Sequence, residues 1–318
     1  MAERGELWQW LIEALTLGQP AALLVVVDSV GSSPGKIGAK MAVSGQGCAG
    51  TIGGGAVESG MINIARSLLA EADAEPRLCR RVHHPEAGLE ASGMICGGEQ
   101  TVLLYPCRSE DRRLFEQCLE YCRQPTSFGL SIFASGLRIV PMSTAMSRAR
   151  FEHGEHWRYQ EALGMRRSAY IIGAGHVGLA LSRVLDWLDF DVTVIDEREQ
   201  AESMPLNGHA RQKWRIPYSD IAEQVPDGPD VFVFVMTHHY SRDELVLARL
   251  ARKQFAYLGV LGSRHKVSQL KASLANRMST EQLARLRAPM GLPINSHTPE
   301  EIAVSIAAEI IQLINCGQ

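Results

Sequence analysis

The stretch that decides the fold of the C-terminal half is AYIIGAGHVG, residues 169–178. An apolar run leads into a G-x-G-x-x-G turn, and the turn opens an amphipathic helical pattern. In such a turn Gly173 permits the tight bend, Gly175 lets the backbone approach a diphosphate, and Gly178 allows the helix to pack closely on the strand. Because an anion there meets the free N–H groups of a helix N-terminus, the stretch predicts a nucleotide-binding unit.

The rest of the C-terminal half alternates between apolar runs and helical patterns, which indicates a parallel sheet. Strands are expected at 169–173, 192–196, 231–236 and 257–262, and helices at 176–188, 241–253, 264–275, 279–287 and 298–314. We therefore predict an α/β fold in which residues 167–318 form a Rossmann-like parallel sheet with helices on both faces.

Asp196 ends the second expected strand, eighteen residues after Gly178. At this point of a Rossmann unit a carboxylate accepts hydrogen bonds from a ribose diol. Together the turn and the acid predict a site for the phosphate or pyrophosphate of a nucleotide-like cofactor. A Rossmann-like fold whose site is empty or altered remains the alternative.

Two further loops follow strands of this sheet, Thr237-His238-His239-Tyr240 and Gly262-Ser263-Arg264. Ligands of open parallel sheets bind beyond the carboxyl ends of the strands, so both loops are expected to face the pocket. Arg264 is predicted to pair with a phosphate and Ser263 to donate to it. His238 is a candidate for the same site. For the pair His238-His239, a metal site is less favoured than an arrangement in which one histidine caps or packs while the other is solvated. His176 lies inside the glycine motif, where a surface position in the first helical turn is the simpler interpretation.

The N-terminal half, residues 1–150, is predicted to be an α+β domain, and the polar segment 151–166 is interpreted as a linker. Its expected elements are a helix near 6–17, a buried strand at 21–30, a hairpin around 45–47, a helix at 56–72, strands near 77–83 and 100–105, a helix near 112–123 and a β-rich stretch at 128–142. The change of pattern after residue 167 supports two domains.

Two glycine-rich motifs of the N-terminal domain are candidates for ligand contact. Gly53-Gly54-Gly55 precedes a helix with Glu58 in its first turn and resembles a second anion-binding helix start, although a triple glycine also marks a simple bend. Cys96 precedes two glycines, so its thiol is either reactive or a soft-metal ligand, or else a small buried side chain at a tight turn.

The bulk composition excludes several classes of protein. The chain of 318 residues has 46% hydrophobic and 21% charged residues and a formal net charge of −3, and it has no long run of Lys or Arg, so a nucleic acid is not expected as partner. No apolar run is long enough to cross a bilayer, and no membrane partner is expected. The seven cysteines show no C-x-x-C spacing, which favours reduced thiols and a cytoplasmic location.

Motifs distributed along nearly the whole chain resemble the xanthine dehydrogenase accessory family of the XdhC/CoxI type. The matching pieces are Gly31-Ser32-Ser33-Pro34, Gly38-Ala39-Lys40-Met41, residues 50–58 (GTIGGGAVE), Cys96-Gly97-Gly98-Glu99, GAGHVG, Gly262-Ser263-Arg264, residues 288–292 (APMGL) and residues 298–303 (TPEEIA). In the CoxI-like branch the glycine turn reads S-G-G-C-V-E, whereas Ala56 stands at that cysteine's place here. The chain is therefore more similar to the XdhC-like branch, and Cys96 is its one motif cysteine.

The resemblance implies a chaperone, not itself a turnover enzyme, that binds the molybdenum cofactor as molybdopterin or its cytosine dinucleotide. Members of the family hold the cofactor while a cysteine desulfurase installs its terminal sulfido ligand. They then deliver the cofactor to an apo molybdenum hydroxylase. Members of the family form homodimers, so the resemblance implies a homodimer here. The resemblance also makes Cys96 a candidate contact to molybdenum. An NAD-dependent oxidoreductase, with NAD as cofactor, is the alternative that the glycine turn and Asp196 allow, and a purely structural adaptor is a third.

Overall fold

The computed structural model describes residues 5–31, 33, 35–82, 98–123, 128–142, 149–164, 166–199, 201 and 203–315. The chain divides into two compact units, Met1–Met165 and Arg166–Gln318. The first contains antiparallel sheets and the second a parallel sheet, so the predicted fold class is confirmed.

The first unit contains three helices and nine strands among its described residues. The helices are α1 (Glu6–Thr16), α2 (Gly55–Leu69) and α3 (Arg112–Arg123). The strands are β1 (Ala21–Val30), β2 (Lys40–Ser44), β3 (Cys48–Gly50), β4 (Arg77–Val82), β5 (Glu99–Pro106), β6 (Phe128–Phe133), β7 (Gly136–Pro141), β8 (Ala149–Glu152) and β9 (Arg158–Ala162). They form two antiparallel sheets with the orders β3-β2-β1-β5-β4 and β7-β6-β9-β8.

Strand β1 is the centre of the first sheet because both of its faces are covered. Alternate side chains of a strand point to opposite faces. Leu23 and Val25 pack with α1, α3 and the second sheet, whereas Leu24 and Val26 pack with α2. This two-sided burial is the reason the strand reads as an unbroken apolar run rather than as an alternating one.

The predicted linker at 151–166 is wrong in its larger part. Residues 149–152 and 158–162 form β8 and β9, and β9 pairs with β6 inside the second sheet. In β9 the side chains of Tyr159 and Glu161 are buried, so the alternation is present but one of its buried members is a charged residue. The segment was interpreted as a linker because Glu161 reads as a surface residue. Its burial depends on a partner that is distant in the sequence.

The second unit is a five-stranded parallel sheet with the order β12-β11-β10-β13-β14. Its strands are β10 (Arg167–Ile172), β11 (Phe190–Asp196), β12 (Gln212–Arg215), β13 (Gly228–Val235) and β14 (Phe255–Val260). Its helices are α4 (His176–Trp187), α5 (Ser203–Leu206), α6 (Ile221–Gln224), α7 (Tyr240–Leu250), α8 (Arg264–Leu274), α9 (Thr280–Arg285) and α10 (Pro299–Asn315). Strand β12 was not expected.

Helices cover both faces of this sheet, as predicted. Ile171 of the central strand packs with α4 and α10, and its neighbour Ile172 packs with α7 and α8 on the opposite face. Helix α10 begins with a capping box, in which the Glu301 N–H donates to Thr298 Oγ1 and the Thr298 N–H donates to Glu301 Oε2. Its apolar face lies on its own sheet, with Ile306 and Ile310 fully buried. Within the part of the chain that the structure describes, no helix is long and apolar enough to cross a membrane.

Candidate functional site

The glycine turn between β10 and α4 has the geometry that its sequence predicts. Gly173 has φ +115°, and a Cβ there would lie 2.3 Å from the Met236 carbonyl oxygen. A Cβ at Gly178 would lie 2.5 Å from the carbonyl oxygen of Gly173, so the third glycine permits the helix to approach the turn. These two glycines are required by the fold itself.

Gly175 differs from the other two glycines because its surroundings are open. Among the described residues, a Cβ at this position would meet only His238 Cε1, at 3.9 Å. Gly175 is the N-cap of α4, and no side chain of the described residues caps the helix there. The first N–H groups of the helix therefore face an open space, which is the arrangement that binds a phosphate at a helix start.

Asp196 lies directly beneath this turn and is completely buried. Its Oδ2 accepts hydrogen bonds from the Ala174 N–H at 2.8 Å and from Arg198 Nη2 at 2.7 Å. Its Oδ1 accepts from the Arg198 N–H at 3.0 Å and from Arg198 Nε at 2.9 Å. A carboxylate has about four lone-pair sites, and all four are occupied. In this arrangement Asp196 offers no acceptor to a ribose diol, which differs from the prediction.

The environment of Asp196 keeps the carboxyl ionised. Burial alone would raise its pKa, but the hydrogen bonds from the Arg198 side chain and from the N–H groups of Arg198 and Ala174 hold the pKa below its ordinary value. The aspartate thus acts as a fixed negative charge that joins the glycine turn to an arginine. Its observed role is to position these two groups.

The histidines of the predicted site are exposed. His176 occupies the first position of α4, and His238 adjoins the open space at Gly175. His239 is the N-cap of α7 but its side chain makes no capping hydrogen bond with a described residue. Groups of three or more His, Cys, Asp or Glu side chains suited to a metal ion are absent from the described residues. The structure thus places His238, rather than His239, beside the glycine turn.

Ser263 and Arg264 begin α8, beyond the edge strand β14. Ser263 Oγ accepts a hydrogen bond from the Lys266 N–H at 3.2 Å and caps the helix, and both side chains are exposed. Within the described part of the chain, no hydrogen bond joins either residue to the glycine turn. Their contact with a phosphate remains a prediction.

An ion pair between a buried aspartate and a partly exposed lysine lies behind these loops and was not predicted from the sequence. Lys266 Nζ lies 2.5 Å from Asp243 Oδ2 and donates to the Leu261 carbonyl at 3.1 Å. The Oδ1 atom of Asp243 accepts from the N–H and the hydroxyl of Thr237, at 3.0 and 2.6 Å. The pair therefore fixes the loops after β13 and β14 to each other. Gly262 leaves space for this lysine, because a Cβ there would lie 2.8 Å from Lys266 Cδ.

A pocket of about 500 Å³ at the carboxyl ends of β11 and β12 was also not predicted from the sequence. Arginines from three separate elements line it: Arg198 after β11, Arg215 at the end of β12 and Arg242 in the first turn of α7. The remaining lining residues are Glu197, Glu199, Ile216 and Pro217. Arg198, two residues after the predicted Asp196, was an available signal, whereas Arg215 lies on the unexpected strand.

At the triple glycine of the first unit, a carboxylate of the chain itself occupies the helix start. Glu58 Oε2 accepts hydrogen bonds from the Thr51 hydroxyl at 2.5 Å and from the N–H groups of Ile52 and Gly54, each at 3.0 Å. Burial alone would raise the pKa of Glu58, but these three hydrogen bonds hold it below the ordinary value. The helix start therefore holds a carboxylate of this chain, and cofactor contact by Gly53, Gly54, Gly55 and Glu58 remains a prediction.

Replacing Glu58 with alanine is expected to reduce the free energy of unfolding by about 1–2 kcal/mol at pH 7, as for loss of a helix cap. Because the folded pKa is lowered, this stabilisation is present above the unfolded pKa of about 4.3 and is lost as the pH falls through the folded value. Chemical denaturation at pH 7 and pH 3 measures the difference, with Ser59→Ala as control. An equal deficit at both pH values would contradict the assignment.

Cys96, the candidate molybdenum contact, lies outside the described residues, as does Gly97. The described cysteines Cys48, Cys79, Cys107, Cys118 and Cys122 are free thiols. Burial raises the pKa of the Cys107, Cys118 and Cys122 thiols, and at Cys118 neighbouring charges, Cys122 and Glu161, add to the effect. Burial therefore disfavours the thiolate form of these three cysteines.

Comparison with known proteins extends over both units. Residues 169–310 match the family model of the XdhC Rossmann domain, and residues 14–81 match that of the XdhC and CoxI family. The chain is 31% identical over 304 residues to the uncharacterized protein YqeB of Escherichia coli K12, covering 93% of this chain and 44% of that protein. It is 30% identical over 142 residues to a probable xanthine dehydrogenase subunit of Bacillus subtilis 168, covering 45% of this chain and 41% of that protein.

A solved structure described as a xanthine dehydrogenase from Bacillus halodurans aligns with a TM-score of 0.72 and 25% identity, covering 98% of this chain and 96% of that one. The chain spans less than half the length of the two curated relatives. Both family models match in the order that the sequence motifs predict. The chain belongs to the XdhC and CoxI family.

Proposed function

We propose that this protein binds the molybdenum cofactor at the crevice of its second unit and serves the maturation of a xanthine dehydrogenase-type molybdenum hydroxylase. The observation that carries the proposal is the uncapped start of α4 beside the open space at Gly175. Family membership and the relatives named for xanthine dehydrogenase support the choice of cofactor and recipient.

The residues at the turn fit the anionic end of such a cofactor. Free N–H groups and the positive end of the helix dipole favour a phosphate or pyrophosphate, and His238 borders the same space. When bound, the cofactor carries the molybdenum centre that the recipient enzyme uses. This chain's part is to hold the phosphate end at Gly173, Gly175 and Gly178, with Asp196 fixing the turn from below.

A carrier needs no acid or base of its own, and we propose that sulfuration is performed by a cysteine desulfurase acting on the held cofactor. Delivery to an apo-hydroxylase completes the proposed cycle. Cys96 is the proposed contact to molybdenum because a soft thiolate is a suitable ligand. Loss of cofactor from Cys96→Ala would support this contact, and unchanged retention would remove Cys96 from the site.

The alternative is an NAD-dependent oxidoreductase, since the pyrophosphate of NAD suits the same turn. Against it stands the saturated carboxylate of Asp196, which has no acceptor for the adenosine ribose in this arrangement. A dehydrogenase binds NADH without any molybdenum cofactor present. Titration with NADH, taken together with the pterin content of the purified protein, therefore separates the two functions.

Protein purified anaerobically from cells rich in molybdenum cofactor is expected to carry near-stoichiometric pterin. The assay is oxidation to the fluorescent pterin derivative, with and without phosphodiesterase to detect a dinucleotide. The same purification from cells unable to make the cofactor is the control. Absence of pterin together with tight NADH binding would replace the proposed function by the dehydrogenase alternative.

A further inference from the structure

The pocket that the three arginines line adjoins the glycine turn through a single carboxylate. Asp196 Oδ2 accepts from the Ala174 N–H of the turn and from Nη2 of Arg198, so the guanidinium and the turn are two hydrogen bonds apart. A ligand whose phosphate lies at the turn can therefore also reach the guanidinium of Arg198. The pocket is thus close enough to the turn for one ligand to reach both.

The guanidinium of Arg198 is held in a fixed orientation. Its Nε and Nη2 bond the two oxygens of the buried Asp196, which leaves Nη1 for another acceptor. Such a pre-oriented fork suits the planar, multidentate binding of phosphate oxygens. The order of this side chain lowers the entropic cost of binding an anion.

The other two arginines bring further donors. Arg242 Nε lies 2.9 Å from Glu197 Oε1 and is half-exposed, and Glu197 also accepts from the Tyr218 N–H at 3.2 Å. Arg215 is exposed and, in the part of the chain described, forms no ion pair or side-chain hydrogen bond. Asp196 and Glu197 are thus compensated within the chain, whereas Arg215 and the lining carboxylate Glu199 form no ion pair with a described residue.

We infer that this pocket is a second anion subsite, in which Arg198, Arg215 and Arg242 bind a phosphate group that the ligand carries beyond the one at the glycine turn. The inference rests on the proposed function in placing a ligand at that turn, and it requires a second phosphate, which the dinucleotide form of the cofactor carries and molybdopterin does not. It replaces the expected recognition of a neutral ribose diol with recognition of a phosphate. An acid alone at this edge of the sheet would repel such a phosphate, whereas an arginine accommodates it.

NADP⁺ and NAD⁺ are the probes, because they differ only by a phosphate on the ribose that lies at this edge of a Rossmann unit. The wild-type chain is expected to bind NADP⁺ at least about tenfold more tightly than NAD⁺ in titration calorimetry, as one or two charge-assisted hydrogen bonds supply. Arg215→Gln is expected to reduce the preference to less than about threefold. Because the side chain of Arg215 bonds no described residue, the thermal unfolding of this variant should be unchanged.

Arg249→Gln is the matched control, since it removes the same charge from the last turn of α7, away from the pocket. It should keep the full preference for NADP⁺. Equal affinities, a preference for NAD⁺, binding of neither nucleotide, or an equal effect of both substitutions would overturn the inference. A preference for NADP⁺ in a protein that never carries pterin would retain the subsite and remove the proposed carrier role.

Discussion

Replacing Gly175 with aspartate is expected to abolish retention of the molybdenum cofactor while leaving the second unit as stable as before. The N-cap has φ −89° and ψ −175°, which suits any residue, and a Cβ has open space there. Aspartate is a better N-cap than glycine, so the helix gains a partner for its free N–H groups. The added carboxylate occupies those groups and repels a phosphate.

The loss of affinity should be large because each charge-assisted hydrogen bond contributes about 1.5–3 kcal/mol. Losing two of them lowers affinity by about 100-fold or more. The measurement is pterin content after anaerobic purification, beside the thermal midpoint of the same preparation. Gly175→Asn is the matched variant, since it caps equally well without the charge and should retain more pterin than the aspartate.

Gly178→Ala is expected to do the opposite of Gly175→Asp and to destabilise the second unit. Its Cβ would lie 2.5 Å from the Gly173 carbonyl oxygen, so the helix and the turn must move apart. Such overpacking costs about 1–3 kcal/mol of stability. Cofactor retained at wild-type levels by Gly175→Asp would show that the ligand does not use this helix start, whatever the stability of the variants.

Several buried elements of both units were predictable from short patterns. The unbroken apolar run of β1 and the apolar strand before the glycine turn each predict a strand buried on two faces, and both are found. The three glycines of GAGHVG predict the turn because each has a separate steric requirement. Local sequence determines these elements, so distant residues were not needed to predict them.

Partners, in contrast, were not predictable from spacing. The position of Asp196 at the end of β11 was expected, but its four hydrogen bonds to Ala174 and Arg198 were not. Strand β12 has the sequence QKWR and exposes most of its side chains, so it shows no apolar run. Arg215 ends this strand, and only the register of β11 and β12 places it opposite Asp196.

Strand β9 shows the same limit inside the first unit. Its alternation buries Tyr159 and Glu161, and a buried glutamate reads as a surface residue until its partner is known. That partner is Lys40, whose Nζ lies 2.5 Å from Glu161 Oε2 and donates to the Gly38 carbonyl at 2.7 Å. The Tyr159 hydroxyl donates to the same carboxylate oxygen at 2.9 Å, and burial followed by the Glu161 charge raises the pKa of Tyr159. The pair joins β2 of one sheet to β9 of the other.

Lys40→Met is therefore expected to destabilise the first unit by about 3–5 kcal/mol, because it leaves the carboxylate of Glu161 buried without a compensating charge. The expected cost is high since Glu161 is only 5% exposed. The double variant Lys40→Met, Glu161→Gln removes both charges and should recover most of the loss. Chemical denaturation of the wild type, both single variants and the double variant gives the coupling energy between the two side chains.

The exposed pair Arg112–Glu116 on α3 is the internal control for this cycle. Its side chains are 42% and 45% exposed, and an i,i+4 pair of this kind contributes about 0.3–0.5 kcal/mol. Arg112→Met should therefore change stability by less than about 1 kcal/mol. If Lys40→Met costs no more than Arg112→Met, or if the double variant is no more stable than Lys40→Met, the ion pair does not hold the two sheets together. The larger cost and its recovery would explain why a polar strand lies inside the sheet.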